Sequence, residues 1–205
     1  MFKIFKKLKK NTELPSIYYE LKAAENAEDY KLKFPNNNDY KGYDYGEYEY
    51  KILTGNIKVE QKNTDELNLA LDDYYLKKED SLKKIDEFFK NHRALETMDG
   101  FQYHAFREDY FDENRLSGLA TNLLRQARQV ETVKFAILLS RYFDLSQKEA
   151  LIELIYEYGT FPDFTYYSLL VLKPTDLYFA AMEYYKENTF SYGSKIVEKM
   201  EEKWN

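Results

Sequence analysis

Residues 130–143, VETVKFAILLSRYF, constrain the fold more than any other part of the chain. Apolar side chains lie nearly all round this segment when it is drawn as a helix, and a helix of that kind is buried among other helices. From Asn63 onward the apolar residues recur at helical spacing, in short segments separated by breakers such as GTFPDF at 159–164. A series of short helices with short connections typically packs as antiparallel helix pairs.

The sequence therefore predicts a mainly α protein with one domain over residues 1–205, in which 63–205 form an antiparallel, HEAT-like helical array or bundle. Seven glycines and four prolines are too few for an all-β fold built on tight turns. Ser146 and Glu149 have the spacing of a capping box. The predicted helices lie at one or two segments within 63–89 with a break near 79–81, and at 101–111, 114–128, 130–143, 147–158, 163–172, 175–187 and 191–204.

The N-terminal subregion, residues 1–62, has a different pattern. MFKIFKKLKK at the start predicts an amphipathic first helix that docks on the domain, with a membrane-surface anchor as the alternative. In the tyrosine-rich stretch that follows, apolar and charged residues alternate with period two, and Gly55-Asn56 is a turn signal. We therefore expect a small β-hairpin over 45–61, with one face packed on helices.

Composition excludes several classes of function. The chain has no cysteine, so it forms no disulfide and has no thiolate chemistry, which suits a cytoplasmic protein. Its formal net charge is −6, and its basic cluster at the N-terminus, MFKIFKKLKK, is short, so we expect no nucleic-acid binding. No stretch approaches the ~20 apolar residues of a spanning helix, so no stable membrane insertion is expected. Phosphate-binding loops and hydrolase motifs are absent, and we predict neither enzymatic activity nor a cofactor.

The alternative function is a metal-dependent hydrolase built on His104. On an unbroken helix His104, Glu108 and Asp112 share one face and would offer nitrogen and oxygen ligands to a divalent metal. The other interpretation is a solvated helix face whose carboxylates pair with Arg107 and Arg115. We favour the solvated face and assign no metal site and no catalytic residue. The row Glu149, Glu153 and Glu157 is interpreted in the same way, as the outer side of its helix.

The tyrosine-rich segment is the predicted partner-binding site. Tyrosine covers much interface area at low entropy cost, and carboxylates around it attract a basic partner. The alternative is that Tyr48 and Tyr50 pack inward beneath the hairpin. The candidate residues are Tyr43, Tyr45, Glu47, Tyr48, Glu49 and Tyr50. We expect a protein-binding module, with a scaffold or adaptor of no fixed charge preference as a further alternative.

Three segments within residues 130–202 resemble a pattern of bacterial helical-repeat proteins. VETVKFAILLSRYFDL is similar to an apolar helix of the VKFG type, EYGTFPDFTYYSLLVL to a DEFT-type helix start, and FSYGSKIVEKMEE to a later WGRI-type helix. Ala136 stands where the pattern has Gly, and Ser191–Ile196 only approximates the last piece. Some small acidic helical arrays are toxin-immunity proteins. The resemblance implies an all-helical array and transfers no catalytic residue. The sharpest form of the expected protein-binding function is an immunity protein that occludes a cognate basic toxin.

Overall fold

A computed structural model describes residues 15–24, 42–107 and 110–203, and within these ranges the chain forms eleven α-helices and no strand. The prediction of a mainly helical protein is confirmed. Two short 3-10 helices lie at Ala94–Thr97 and Ser140–Tyr142. The α-helices are α1 (Ile17–Ala23), α2 (Glu47–Leu53), α3 (Asp65–Tyr75), α4 (Ser81–Phe88), α5 (Met98–Ala105), α6 (Glu113–Gln126), α7 (Val130–Leu139), α8 (Glu149–Gly159), α9 (Pro162–Leu172), α10 (Tyr178–Asn188) and α11 (Tyr192–Glu202).

Helices α7 and α9 form the centre of the core. All ten residues of α7 are buried, as the apolar character of 130–143 predicts. Helix α9 packs against α7, α8, α10 and α11, and buries nine of its eleven residues. The consecutive pairs α3–α4, α6–α7, α8–α9 and α10–α11 pack on each other. The remaining helices pack on these two or on one another, as α1 does on α6 and α3 does on α4 and α5.

Most helix boundaries fall within a few residues of the predicted ones. The segment 63–89 forms two helices, because the chain turns at 76–80 and Lys77 has a φ of 57° there. The predicted capping box at Ser146 is wrong. Helix α8 begins at Glu149 after Lys148, and the Ser146 hydroxyl instead donates to Asp144 at 2.8 Å.

The predicted β-hairpin at 45–61 is also wrong, because residues 47–53 form helix α2. The sequence predicts a hairpin turn at Gly55-Asn56, but Gly55 ends the helix. Its N–H donates to the carbonyl of Ile52 at 3.0 Å, and the N–H of Asn56 donates to Lys51 at 2.8 Å. With Gly55 at a φ of 79°, these two bonds form a Schellman motif, which is a common helix C-terminus.

Side chains explain why α2 is helical despite its alternating sequence. Glu47 and Lys51 form an i, i+4 ion pair at 2.8 Å, in the favourable order of acid before base. Gly46 precedes the helix with a φ of 77°, and a Cβ there would lie 2.8 Å from the carbonyl oxygen of Pro162. This close approach seats α2 against the start of α9, where Tyr45 packs on Phe161 with ring centroids 5.2 Å apart. The contacts of α2 with α9 therefore outweigh the strand-like, period-two alternation of its sequence.

Helix α1 is attached to the end of α6. Ser16 Oγ donates to the carbonyl of Arg125 at 2.7 Å, and the N–H of Ile17 donates to Ala127 at 3.0 Å. The first helix predicted within 1–10 lies outside the described residues. Among the helices of the described ranges, none is long and apolar enough to cross a bilayer.

Candidate protein-binding surface

The structure does not bring the six predicted partner-binding residues together on one surface. Tyr43 is exposed, whereas Tyr45, Tyr48 and Tyr50 are partly buried against the domain. Tyr48 is covered by the guanidinium of Arg93, whose central carbon lies 3.6 Å from the ring centroid. The two remaining residues, Glu47 and Glu49, point to different places, since Glu47 pairs with Lys51 at the surface and Glu49 is 1 % exposed.

Glu49 belongs to a buried ionic cluster centred on Lys134. The ammonium of Lys134 donates to Glu49 Oε1 at 2.7 Å and to Glu131 Oε1 at 2.8 Å. Asp163 Oδ1 lies 3.8 Å from the same nitrogen. The cluster is held in turn by Tyr167, whose hydroxyl donates to Glu49 Oε1 at 3.1 Å. Helices α2, α7 and α9 are therefore joined through charged side chains inside the core.

Charge balance in this cluster determines its protonation. Burial alone would lower the pKa of Lys134, but Glu131, Glu49 and Asp163 raise it above its usual value. Burial raises the pKa of Asp163 to about 8, although Lys134 opposes that shift. Because all its members are buried, the cluster holds helices together and presents no surface to a ligand.

The metal-site alternative depended on an unbroken helix from His104 to Asp112, and the helix ends earlier. Helix α5 stops at Ala105 and α6 begins at Glu113. His104 Nε2 lies 2.7 Å from Asp72 Oδ1, while Asp112 caps α6 by accepting from the N–H of Arg115 at 2.9 Å. Glu108 lies outside the described residues.

Asp72 is the hydrogen-bond partner of both His104 and Tyr110. Burial would raise its pKa, but hydrogen bonds from Tyr110 and His104 hold the pKa below its usual value. Within 15–24, 42–107 and 110–203, no group of three His, Asp or Glu side chains is placed to hold a metal ion.

An exposed acidic ridge runs along α8. Glu149, Glu153 and Glu157 follow one another at i, i+4 and i+8, and all three are exposed, as the sequence indicated. Neighbouring carboxylates at this spacing are about 5–6 Å apart at Cβ and repel one another. Lys22 pairs with Glu157, whereas Glu149 and Glu153 have no ion-pair partner in the described part of the chain.

Tyrosines lie at the C-terminal end of this ridge, where Tyr18 and Tyr184 line a pocket together with Glu157 and Tyr19 is next to Tyr18. Tyr18 and Tyr19 come from α1 and Tyr184 from α10, with Tyr19 62 % and Tyr184 44 % exposed. The rings of Tyr18 and Tyr19 meet edge to face at 5.2 Å between centroids. We call the surface formed by Tyr18, Tyr19, Glu149, Glu153, Glu157 and Tyr184 the acidic–tyrosine face. It has the chemistry that the sequence placed at 43–50, but the residues come from three other helices.

A pocket of about 300 Å³ opens beside this face. Its lining is rich in aromatic side chains from α1, the end of α8, the following turn and α10. Tyr158 and Phe161 are almost fully buried, and the Tyr158 hydroxyl donates to the carbonyl of Leu124 at 2.6 Å. The lining residues are Tyr18, Leu21, Lys22, Glu157, Tyr158, Thr160, Phe161 and Tyr184. We call it the aromatic pocket.

Lys22 places a positive charge at this pocket. Its ammonium donates to Glu157 Oε1 and lies 5.9 Å from the ring centroid of Tyr18. The hydrogen bond with Glu157 raises the pKa of Lys22. Lys22 and Glu157 are about half exposed, so water screens their attraction.

A second exposed aromatic group lies near the start of α6. Phe106 stacks on Phe111 with centroids 4.6 Å apart and meets Tyr142 edge to face at 5.1 Å. Tyr103 on the same side is 82 % exposed. Arg107 and Arg141 are exposed on the neighbouring segments together with the acidic residues Asp99 and Glu113, so this group lacks the single sign of charge seen along α8.

Neither family models, curated proteins nor solved structures give a match to this chain. The sequence contained one signal for the acidic–tyrosine face, the glutamate row of α8. No sequence pattern indicates that Tyr18, Tyr19 and Tyr184 belong to this surface. They come near the glutamate row only through the packing of α1 and α10 beside α8.

Proposed function

We propose that the chain is a protein-binding module that recognises a basic partner through the acidic–tyrosine face. The observation that carries the proposal is the exposed glutamate row of α8 beside exposed tyrosines of α1 and α10. Carboxylates of one sign speed the encounter with a cationic surface, and tyrosines supply the packed contact area. The overall charge of −6 adds to this attraction.

The sharpest form of the proposal is a cytoplasmic bacterial immunity protein that neutralises a cognate basic toxin by occlusion. A nuclease toxin needs positive charge to hold its own substrate, so an acidic face that covers this charge would block it. Tight pairs of DNases and immunity proteins demonstrate that such recognition exists. A HEAT-like array, as in the helical-repeat proteins that residues 130–202 resemble, suits this role because it presents outer helices as one continuous surface.

The test compares partner capture by two matched triple variants. The face variant replaces Glu149, Glu153 and Glu157 by Gln, and all three side chains are exposed, so the fold is expected to persist. The control variant replaces three exposed glutamates that lie elsewhere, Glu60, Glu79 and Glu198. Both variants lose the same number of negative charges. A difference between their association rates therefore reports the acidic–tyrosine face and not the net charge of the protein.

Tagged wild-type protein is used to capture a partner from the native host, and the association rate of the purified pair is then measured at increasing salt. We expect the control variant to bind at nearly the wild-type rate, and the face variant to bind more slowly with a weaker salt dependence. The proposal that the chain is an immunity protein is tested by whether it rescues cells from the toxicity of the captured partner. Equal rates for both variants would count against this face, and a partner without a basic surface would count against the class of partner.

A further inference from the structure

We propose that the aromatic pocket is a receptor for one cationic side chain, an arginine or lysine of the partner, and that Lys22 occupies its place in the free protein. This inference rests on the proposed function for the source of the cation. The pocket itself is defined by its own geometry, so its ligand chemistry is testable without the partner.

The lining of the pocket combines the two features that bind an organic cation. Aromatic ring faces attract a cation within about 6 Å of the centroid, most strongly where water is excluded. Tyr18 and Tyr184 line the pocket at the surface, and the buried rings of Tyr158 and Phe161 line it deeper in the fold. Glu157 supplies one carboxylate at the same place, which adds a charge-assisted hydrogen bond.

Lys22 demonstrates that an ammonium fits there. Its nitrogen is hydrogen-bonded to Glu157 and lies 5.9 Å from the Tyr18 centroid, so both parts of the lining already hold a cation of this chain. Lys22 comes from a seven-residue helix and is half exposed, so its side chain can leave without unpacking the core. An exposed ion pair of this kind contributes little to stability, so a partner's side chain can displace it.

The predicted ligand is specific in charge and shape. A volume of about 300 Å³ accommodates a single arginine or lysine side chain. A guanidinium stacks on aromatic rings and binds a carboxylate through two N–H groups, so arginine is the better fit of the two. The neutral isostere citrulline keeps the shape and loses the charge, and therefore separates charge recognition from simple filling of the pocket.

The experiment titrates Nα-acetyl-arginine amide into the full chain and follows the tyrosine ring resonances by NMR. Wild type is compared with Lys22→Met, which removes the resident ammonium from an exposed position and leaves the fold intact. We expect Lys22→Met to bind the arginine probe up to about fivefold more tightly, because 1 kcal/mol of competition corresponds to that factor at 25 °C. Nα-acetyl-citrulline amide should cause no saturable shift.

Two further variants in the Lys22→Met background locate the binding. Glu157→Gln and Tyr184→Leu should each weaken the arginine probe, whereas Glu198→Gln on α11 should leave its affinity unchanged. Equal shifts with arginine and citrulline, or a probe affinity that Lys22→Met does not raise, would overturn the inference. Because no partner is used, these results are independent of partner capture. If the arginine probe binds the pocket but the face variant associates with the partner as fast as the control variant does, the proposed function is refuted and the pocket inference stands.

Discussion

Replacing Lys134 by Met is expected to destabilise the fold strongly. The substitution keeps most of the length of the side chain and removes the ammonium that donates to Glu49 and Glu131 at 2.7 and 2.8 Å. Both carboxylates then remain buried without the cation between them, since each is no more than 2 % exposed. Breaking a buried ion pair from one side costs about 3–5 kcal/mol. That is a large part of the ~5–15 kcal/mol that stabilises an ordinary domain.

The loss is expected to depend on pH. Without Lys134 the two buried glutamates are pushed towards their neutral forms, so the folded variant takes up protons that the unfolded chain releases. The variant therefore loses more stability relative to wild type as the pH rises. At acid pH, where the glutamates are protonated in both states, the difference should be smaller.

Urea unfolding followed by circular dichroism measures the change, with Lys83→Met as the matched control. Lys83 is exposed on α4, and its replacement should change the free energy of unfolding by less than about 0.5 kcal/mol. In the double variant with Glu49→Gln, the two losses should not add, because both remove the same contact. A loss below about 1 kcal/mol for Lys134→Met, the value of an exposed pair, would refute the role assigned to the cluster.

Three further predictions concern the helices around the cluster. Because the pKa of Asp163 is raised to about 8, the folded protein keeps a proton that the unfolded chain releases near the usual pKa of 3.8. Unfolding free energy should therefore fall towards pH ~8 by up to about 1.4 kcal/mol per pH unit, and urea titrations of Asp163→Asn should lack that slope. Gly46→Ala should cost more in urea midpoint than Gly55→Ala: both have a φ near 78°, at 77° and 79°, but only Gly46 faces a backbone atom at 2.8 Å. Equal costs would mean that α2 does not need this close approach. Tyr167→Phe should cost about 1.5–3 kcal/mol in the same assay, the value of a hydrogen bond to a charged group, and an unchanged midpoint would contradict the bond to Glu49.

The helical part of the fold was readable from the sequence because its signals are local. The all-round apolar character of 130–143 predicts a buried helix, and the breaker GTFPDF separates α8 from α9 as expected. The charged residues inside these two central helices gave no sign of their burial. Glu131 is buried beside the ammonium of Lys134, and Asp163 is buried with its pKa raised, and both arrangements depend on tertiary packing.

The tyrosine segment was misinterpreted for a related reason. Its alternation of Tyr with Glu has the period of a strand, but Glu49 is turned inward by Lys134, which lies 85 residues away along the chain. Gly55 is compatible with a hairpin turn and with a helix C-terminus, and only the hydrogen bonds of Gly55 and Asn56 distinguish the two. The same packing assembled the acidic–tyrosine face from helices that are distant in sequence.

Association kinetics of the captured partner test the central claim most directly. The face variant at Glu149, Glu153 and Glu157 and the control variant at Glu60, Glu79 and Glu198 carry the same net charge. Recognition of a basic partner through the acidic–tyrosine face predicts slower association and a weaker salt dependence for the face variant alone. Identical association rates and salt dependences for the two variants would contradict it.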